Sequence, residues 1–131
     1  MALPNGSGGY QVGAGNSSEI VFVPSAIPVA YTAGATMTVN DLAGGMVVYT
    51  TTNTGNLVLP TAASVDTANS SLRVGSSFDL SLVTTSTGVP TITVGTGWTL
   101  VGVGLGIASR SVLFRAVKTG DATYNLYRIA G

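Results

Sequence analysis

Side chains alternate at period two through much of residues 74–131, and that alternation commits this part of the chain to strands with two distinct faces. Phe78, Leu80 and Leu82 alternate with Ser77, Asp79 and Ser81. Phe114 and Ala116 alternate with Leu113, Arg115 and Val117, and Tyr124 and Leu126 with Thr123, Asn125 and Tyr127. Between these strands lies Val94-Gly-Thr-Gly-Trp98-Thr-Leu-Val-Gly102, which reads as two short strands flanking a tight glycine turn. It holds the sole tryptophan, and Trp98 and Leu100 fall on one face. The expected core is therefore Phe78, Leu80, Trp98, Leu100, Phe114 and Leu126.

Residues 80–109 carry no charge. Thr, Ser, Pro90 and repeated Gly interrupt the stretch at intervals too short for a membrane-spanning helix, so it reads as uncharged strands. Upstream, Glu19-Ile-Val-Phe-Val23 is an apolar run ended by Pro24, and Pro28 keeps the following chain extended or at an edge. Thr36-Met-Thr-Val-Asn40 reads as a strand, Asp41-Leu-Ala-Gly-Gly45 as a turn and Met46-Val-Val-Tyr-Thr-Thr51 as a strand. Residues 52–56 read as a loop or hairpin turn, and Leu57-Val-Leu59 as a short strand closed by Pro60. Residues 61–72 are the helical candidate, with Thr61 as cap and Val65, Ala68 and Leu72 near helical spacing. Residues 111–118 and 122–129 are expected to form a terminal hairpin. No internal repeat of fixed period is visible.

Short strands with turn signals at this spacing predict an all-β fold: an antiparallel β-sandwich, jelly-roll-like or a partly closed barrel, with one short helix. That domain is expected over residues 23–131. Residues 1–22 are expected to form an extended N-terminal arm, since residues 1–18 are rich in Gly, Ser and Asn and lack the composition of a core. Leu3, Tyr10, Val12, Ile20 and Phe22 are its apolar anchors. Met1-Ala-Leu-Pro4 has neither the basic nor the apolar region of a secretory signal, and none is expected.

Chemistry is sparse. Cys and His are both absent, which removes disulfides and thiolate or imidazole metal ligands, and no cofactor is expected. The acids Glu19, Asp41, Asp66, Asp79 and Asp121 are scattered, with no pair set on one strand face, and read as solvated turn and strand-edge groups. Lys118, the sole lysine, looks like a hairpin-end charge. Gly102-Val-Gly-Leu-Gly106 lacks the following helix of a phosphate loop and reads instead as a bend or close backbone approach. Arg73, Arg110, Arg115 and Arg128 do not cluster with aromatics, as a nucleic-acid platform requires. Neither an enzyme, a nucleic-acid binder nor a membrane protein is expected. Net charge is zero and 8% of residues are charged, against roughly 25% in an ordinary soluble domain. With a mean hydropathy of +0.47, the chain is expected to have a largely occupied surface, in a homo-oligomer or in a larger assembly.

Several segments together resemble a known group. They are Asn56-Leu-Val-Leu-Pro-Thr61, Val74-Gly-Ser-Ser-Phe-Asp79, Gly95-Thr-Gly-Trp-Thr-Leu-Val-Gly102, Phe114-Arg115, Lys118-Thr-Gly120 and Tyr124-Asn-Leu-Tyr-Arg128, in that order. The chain resembles the small β domains of capsid decoration (cement) proteins and virion appendages of tailed bacteriophages, especially phages of cyanobacteria and aquatic bacteria. The likeness covers about residues 55–131, and its motifs are structural, so it carries over no functional residue. It implies a non-enzymatic, commonly trimeric structural protein on the outer surface of the capsid, with the major capsid protein as partner. The alternative it leaves is a receptor- or glycan-binding module of a phage fibre or tail, for which Tyr10, Tyr31, Tyr49 and Tyr127 are the candidate aromatics.

Overall fold

A computed structural model describes residues 3–4, 10–11 and 27–131. Strands β1 (Leu3–Pro4) and β2 (Tyr10–Gln11) pair antiparallel with each other. Then follow β3 (Val29–Tyr31), β4 (Ala35–Thr36), α1 (Val39–Gly44), β5 (Met46–Tyr49), β6 (Gly55–Val58) and α2 (Ala62–Ala68). The chain continues through β7 (Ser77–Thr84), β8 (Pro90–Thr93), β9 (Trp98–Val101), β10 (Ser111–Gly120) and β11 (Thr123–Ala130). Of the anchors expected in the arm, Leu3 and Tyr10 fall on β1 and β2, while Val12, Ile20 and Phe22 lie outside the described residues.

The fold is β-rich, and its strands are not all antiparallel. A six-stranded sheet runs β3-β5-β7-β10-β11-β9 and a three-stranded sheet runs β4-β6-β8. From β3 to β8 successive strands alternate between the two sheets, and each lies parallel to the strand before it in the same sheet. Val47 thus sits between Val29 and Leu82, and Leu57 between Ala35 and Ile92. Antiparallel pairing within the large sheet is confined to β7, β10 and β11, and β9 returns parallel to β11. Period-two alternation reports which side chains share a face. It does not report the direction of the neighbouring strand, because both ladders have the same alternation.

The connections explain the winding. Residues 50–54 are a corner that passes from one sheet to the other, and of residues 52–56, read as a loop or hairpin turn, Gly55 and Asn56 open β6. The corners stack: Thr50 N–H donates to the Tyr31 carbonyl, Thr85 N–H to the Tyr49 carbonyl and Gly88 N–H to the Thr51 carbonyl. The return passages carry the helices. Residues 36–45, read as a strand and a turn, hold β4's last residue and α1. Thr38 Oγ1 accepts from Asp41 N–H while the Asp41 carboxylate accepts from Thr38 N–H, a reciprocal cap, and Gly45 closes the helix at φ +74°. Six residues are too few to display helical periodicity, so the turn-like composition prevailed in the sequence. The second helix is capped by Thr61 and ends at Ala68 rather than at Leu72.

One hydrophobic cluster joins the layers. Leu57 and Ile92 come from the small sheet, Val47, Tyr49, Leu80, Leu82, Phe114, Tyr124 and Leu126 from the large one, and Leu42, Ala62 and Val65 from the helices. Leu80, Trp98, Phe114 and Leu126 are buried, while Phe78 and Leu100 pack against the cluster partly exposed. The Trp98 indole stacks on Tyr124 with ring centroids 4.9 Å apart and meets Phe78 edge-on at 6.5 Å. Gly104 lies so close to the Ile92 carbonyl oxygen that a side chain there would overlap it. Residues 103–106 in fact line the open edge of β8, where Ile92 N–H donates to the Gly104 carbonyl and Gly106 N–H to the Pro90 carbonyl.

Candidate functional site

One group of polar residues, Asp66, Lys118 and Tyr124, converges beside α2. Asp66 projects from α2 and accepts three hydrogen bonds: from Lys118 Nζ at 2.9 Å, from Ala122 N–H at 2.6 Å and from the Tyr124 hydroxyl. Lys118 also donates to the Leu72 carbonyl at 3.3 Å. At 8% exposure Lys118 is a buried ion-pair partner, not a hairpin-end charge, and Asp66 is not a solvated turn carboxylate. The three donors bolt the helix to the β10–β11 hairpin. They also hold Ala122, whose φ of +47° is unusual for a residue with a side chain. The Tyr124, Lys118 and Ala122 donors, in that order of influence, hold the Asp66 carboxyl down at about 2. Burial, then the bond to Asp66, pushes the Tyr124 hydroxyl up.

A second Asp–Tyr pair repeats the device on the first helix. The Tyr31 hydroxyl donates to Asp41, itself buried, and so ties β3 to α1. Burial, then this bond, pushes Tyr31 up to about 12.

Asp66 makes stability depend on acid. Its folded pKa lies below the unfolded value, so its contribution is present above about pH 4 and is lost as pH falls towards about 2. The urea midpoint of the native chain is expected to fall across that window. The Asp66→Asn chain should start lower and show a shallower fall. Equal acid slopes in the two chains would contradict this role.

A cleft of about 210 Å³ opens between α1, α2 and the start of β7, lined by Val39, Leu42, Val65, Leu72, Phe78 and Asp79 among others. It is smaller than the ~300–1,000 Å³ of ordinary ligand pockets. Among the described residues no helix is long and apolar enough to cross a membrane, and no group of three or more acidic side chains could hold a metal ion.

The six-stranded sheet also has an outer face. Strand register places Ala30, Met46, Val48, Val83, Leu113, Val117, Tyr127 and Val101 there, on the side away from the core. Val48, Val83, Leu113, Val117 and Tyr127 are half-buried by one another, and Met46 and Val101 are 40% and 44% exposed. The charges on this face pair internally: Arg115 Nε donates to Asp79 Oδ1 at 2.8 Å and Nη2 to Oδ2 at 3.4 Å. The Arg115 guanidinium lowers the Asp79 pKa, and Asp79 raises that of Arg115. Asn125 donates to the Tyr127 hydroxyl at 3.1 Å. The small sheet and both helices contribute to the cluster on the opposite side, so no described helix shields this face.

Of the candidate glycan aromatics, Tyr49 is buried and donates to the Asn53 carbonyl, Tyr31 is tied to Asp41 and Tyr127 lies on the outer sheet face. The side chain of Tyr10 is not among those described. The described tyrosines therefore do not form one concave patch. Sequence reasoning missed the Asp66–Lys118–Tyr124 convergence, because its members come from positions far apart in the chain. It could have found the outer face by following the second set of each alternation, where Val83, Leu113 and Val117 replace polar residues. No protein family, curated protein or solved structure matches this chain.

Proposed function

We propose that this chain is a capsid decoration (cement) protein of a tailed bacteriophage: a non-enzymatic structural protein that binds the outside of the head and stabilises the lattice. The observation that supports the reading is the division of labour among its side chains. Asp41, Asp66 and Lys118 brace the interior, Asp79 and Arg115 neutralise each other, and Arg128 donates to the Val103 and Leu105 carbonyls at 2.8 and 2.5 Å. What the body presents outward is a sheet face without net charge, where apolar side chains surround the self-neutralised Asp79–Arg115 pair, which suits a protein that works by contact.

In this reading the two sheets form a β-sandwich, and the body is a homo-oligomer, a trimer, seated on the major capsid protein. Binding energy that exists only with the assembled shell stabilises that shell by linkage. Residues 1–22 serve as the attachment arm, and neither nucleic acid nor membrane is a partner. The alternative, a receptor- or glycan-binding module of a fibre or tail, differs in copy number. Gel densitometry of purified virions is expected to find copies on the scale of the capsid lattice, and a handful per particle would favour the fibre or tail.

A chain lacking residues 1–18 is expected to stay folded and oligomeric but to fail to bind naked capsids. Wild-type occupancy by the truncated chain would move the attachment role to the body.

A further inference from the structure

We infer that the outer face of the six-stranded sheet is where copies of this chain associate, face against face. The inference rests on the reading above that copies of the chain associate; a face that meets its own copy pairs two chains, so it adds a two-fold contact to that reading and does not itself close a trimer.

Area is the first argument. Six strands spaced about 4.8 Å apart span about 24 Å, and the outward residues from Ser77 to Val83 span about 20 Å. One face therefore offers on the order of 500 Å², and two copies stacked through it remove on the order of 1,000 Å² from water, the size at which an interface becomes specific. Ala30, Val48, Val83, Leu113, Val117, Tyr127 and Val101 supply the apolar contact, and Ser77, Ser81 and Ser111 between them are small enough to let sheets approach.

Charge selects the occupant. The face carries one ion pair, Asp79 on β7 beside Arg115 on β10, with side chains 47% and 48% exposed. A strongly acidic or basic partner finds no net charge to match. A second copy does find a match, because a symmetric contact can set each Asp79 against the other copy's Arg115, so that residue i meets j and j meets i. Zero net charge on the whole chain leaves no long-range repulsion between copies.

The experiment uses the full chain and reads mass by light scattering, with far-UV circular dichroism as the check on folding. Wild type is expected at an even multiple of the monomer mass, and three times the monomer mass would overturn the two-fold surface. Asp79→Arg alone and Arg115→Asp alone put like charges on each face, and each is expected to be folded and to fall to half the wild-type mass. Mixed in equal amounts the two variants should co-assemble, since one face is then doubly basic and the other doubly acidic. Leu113→Glu is expected at half the wild-type mass, with no recovery on mixing. A monomeric wild type overturns the oligomeric reading and this inference with it. In that case, loss of capsid binding by Leu113→Glu assigns the face to the shell. An oligomeric wild type whose single variants keep their mass leaves the oligomer standing and overturns only the surface. Dissociation of both single variants without recovery on mixing also overturns the pairing.

Discussion

Trp98→Ala is expected to lower the unfolding free energy by about 3–5 kcal/mol. The indole does three things at once. It fills the space between β9 and the hairpin at 7% exposure. It stacks on Tyr124, the residue whose hydroxyl reaches Asp66. Its Nε1 donates to the Pro60 carbonyl at 2.8 Å, just before the residue that caps α2. Truncation leaves a cavity, a buried carbonyl without its donor and a loosened base under the Asp66 network. A domain of this kind holds roughly 5–15 kcal/mol in total, so one substitution removes a large fraction. Urea unfolding followed by circular dichroism measures the change. A loss below about 1 kcal/mol, typical of an exposed site, would show that the indole is not the joint described.

Gly97→Ala is expected to cost about 2–5 kcal/mol, and comparison with Gly75→Ala separates its two causes. Both glycines have a left-handed backbone, φ +88° at Gly97 and +91° at Gly75. An added methyl at Gly75 meets nothing within 4 Å, so that substitution carries the backbone penalty alone, about 1–2 kcal/mol. At Gly97 the methyl would overlap the Ala122 carbonyl oxygen and lie 2.6 Å from the Ala62 Cβ. The turn before β9, the start of α2 and the turn of the β10–β11 hairpin all meet there, and none can retreat without disturbing another. The two substitutions should therefore differ by the cost of overpacking, about 1–3 kcal/mol. Equal losses at the two sites would mean that the junction yields.

The carboxy-terminal strands were legible because each alternation is long. The ranges read for β10 and β11 differ from those observed by at most two residues at either end. The winding was not legible, because β3, β4 and β5 hold only two to four residues each and a short strand does not name its partner. The first helix hid for the same reason, although Thr38 and Asp41 carried the signature of its cap. The Asp66 convergence depends on three elements meeting at one end of the molecule. Asp66 and Lys118 are 52 positions apart, and no local pattern encodes that distance.

The stacked parallel windings set a schedule for folding. The β10–β11 hairpin closes through Asp121 and Ala122 and needs only local chain. In contrast, β5 gains its second neighbour only when β7 has arrived from across α2, and β6 waits likewise for β8. Such non-local pairings require loop closure before they return any contact, and they form slowly. As the chain leaves the ribosome, β3 to β6 emerge before the strands that cover them, with the Val47 and Leu57 faces still open. The body therefore completes its fold only when its last strands are free, because β7, the last winding of the large sheet, comes to rest on β10 of that hairpin.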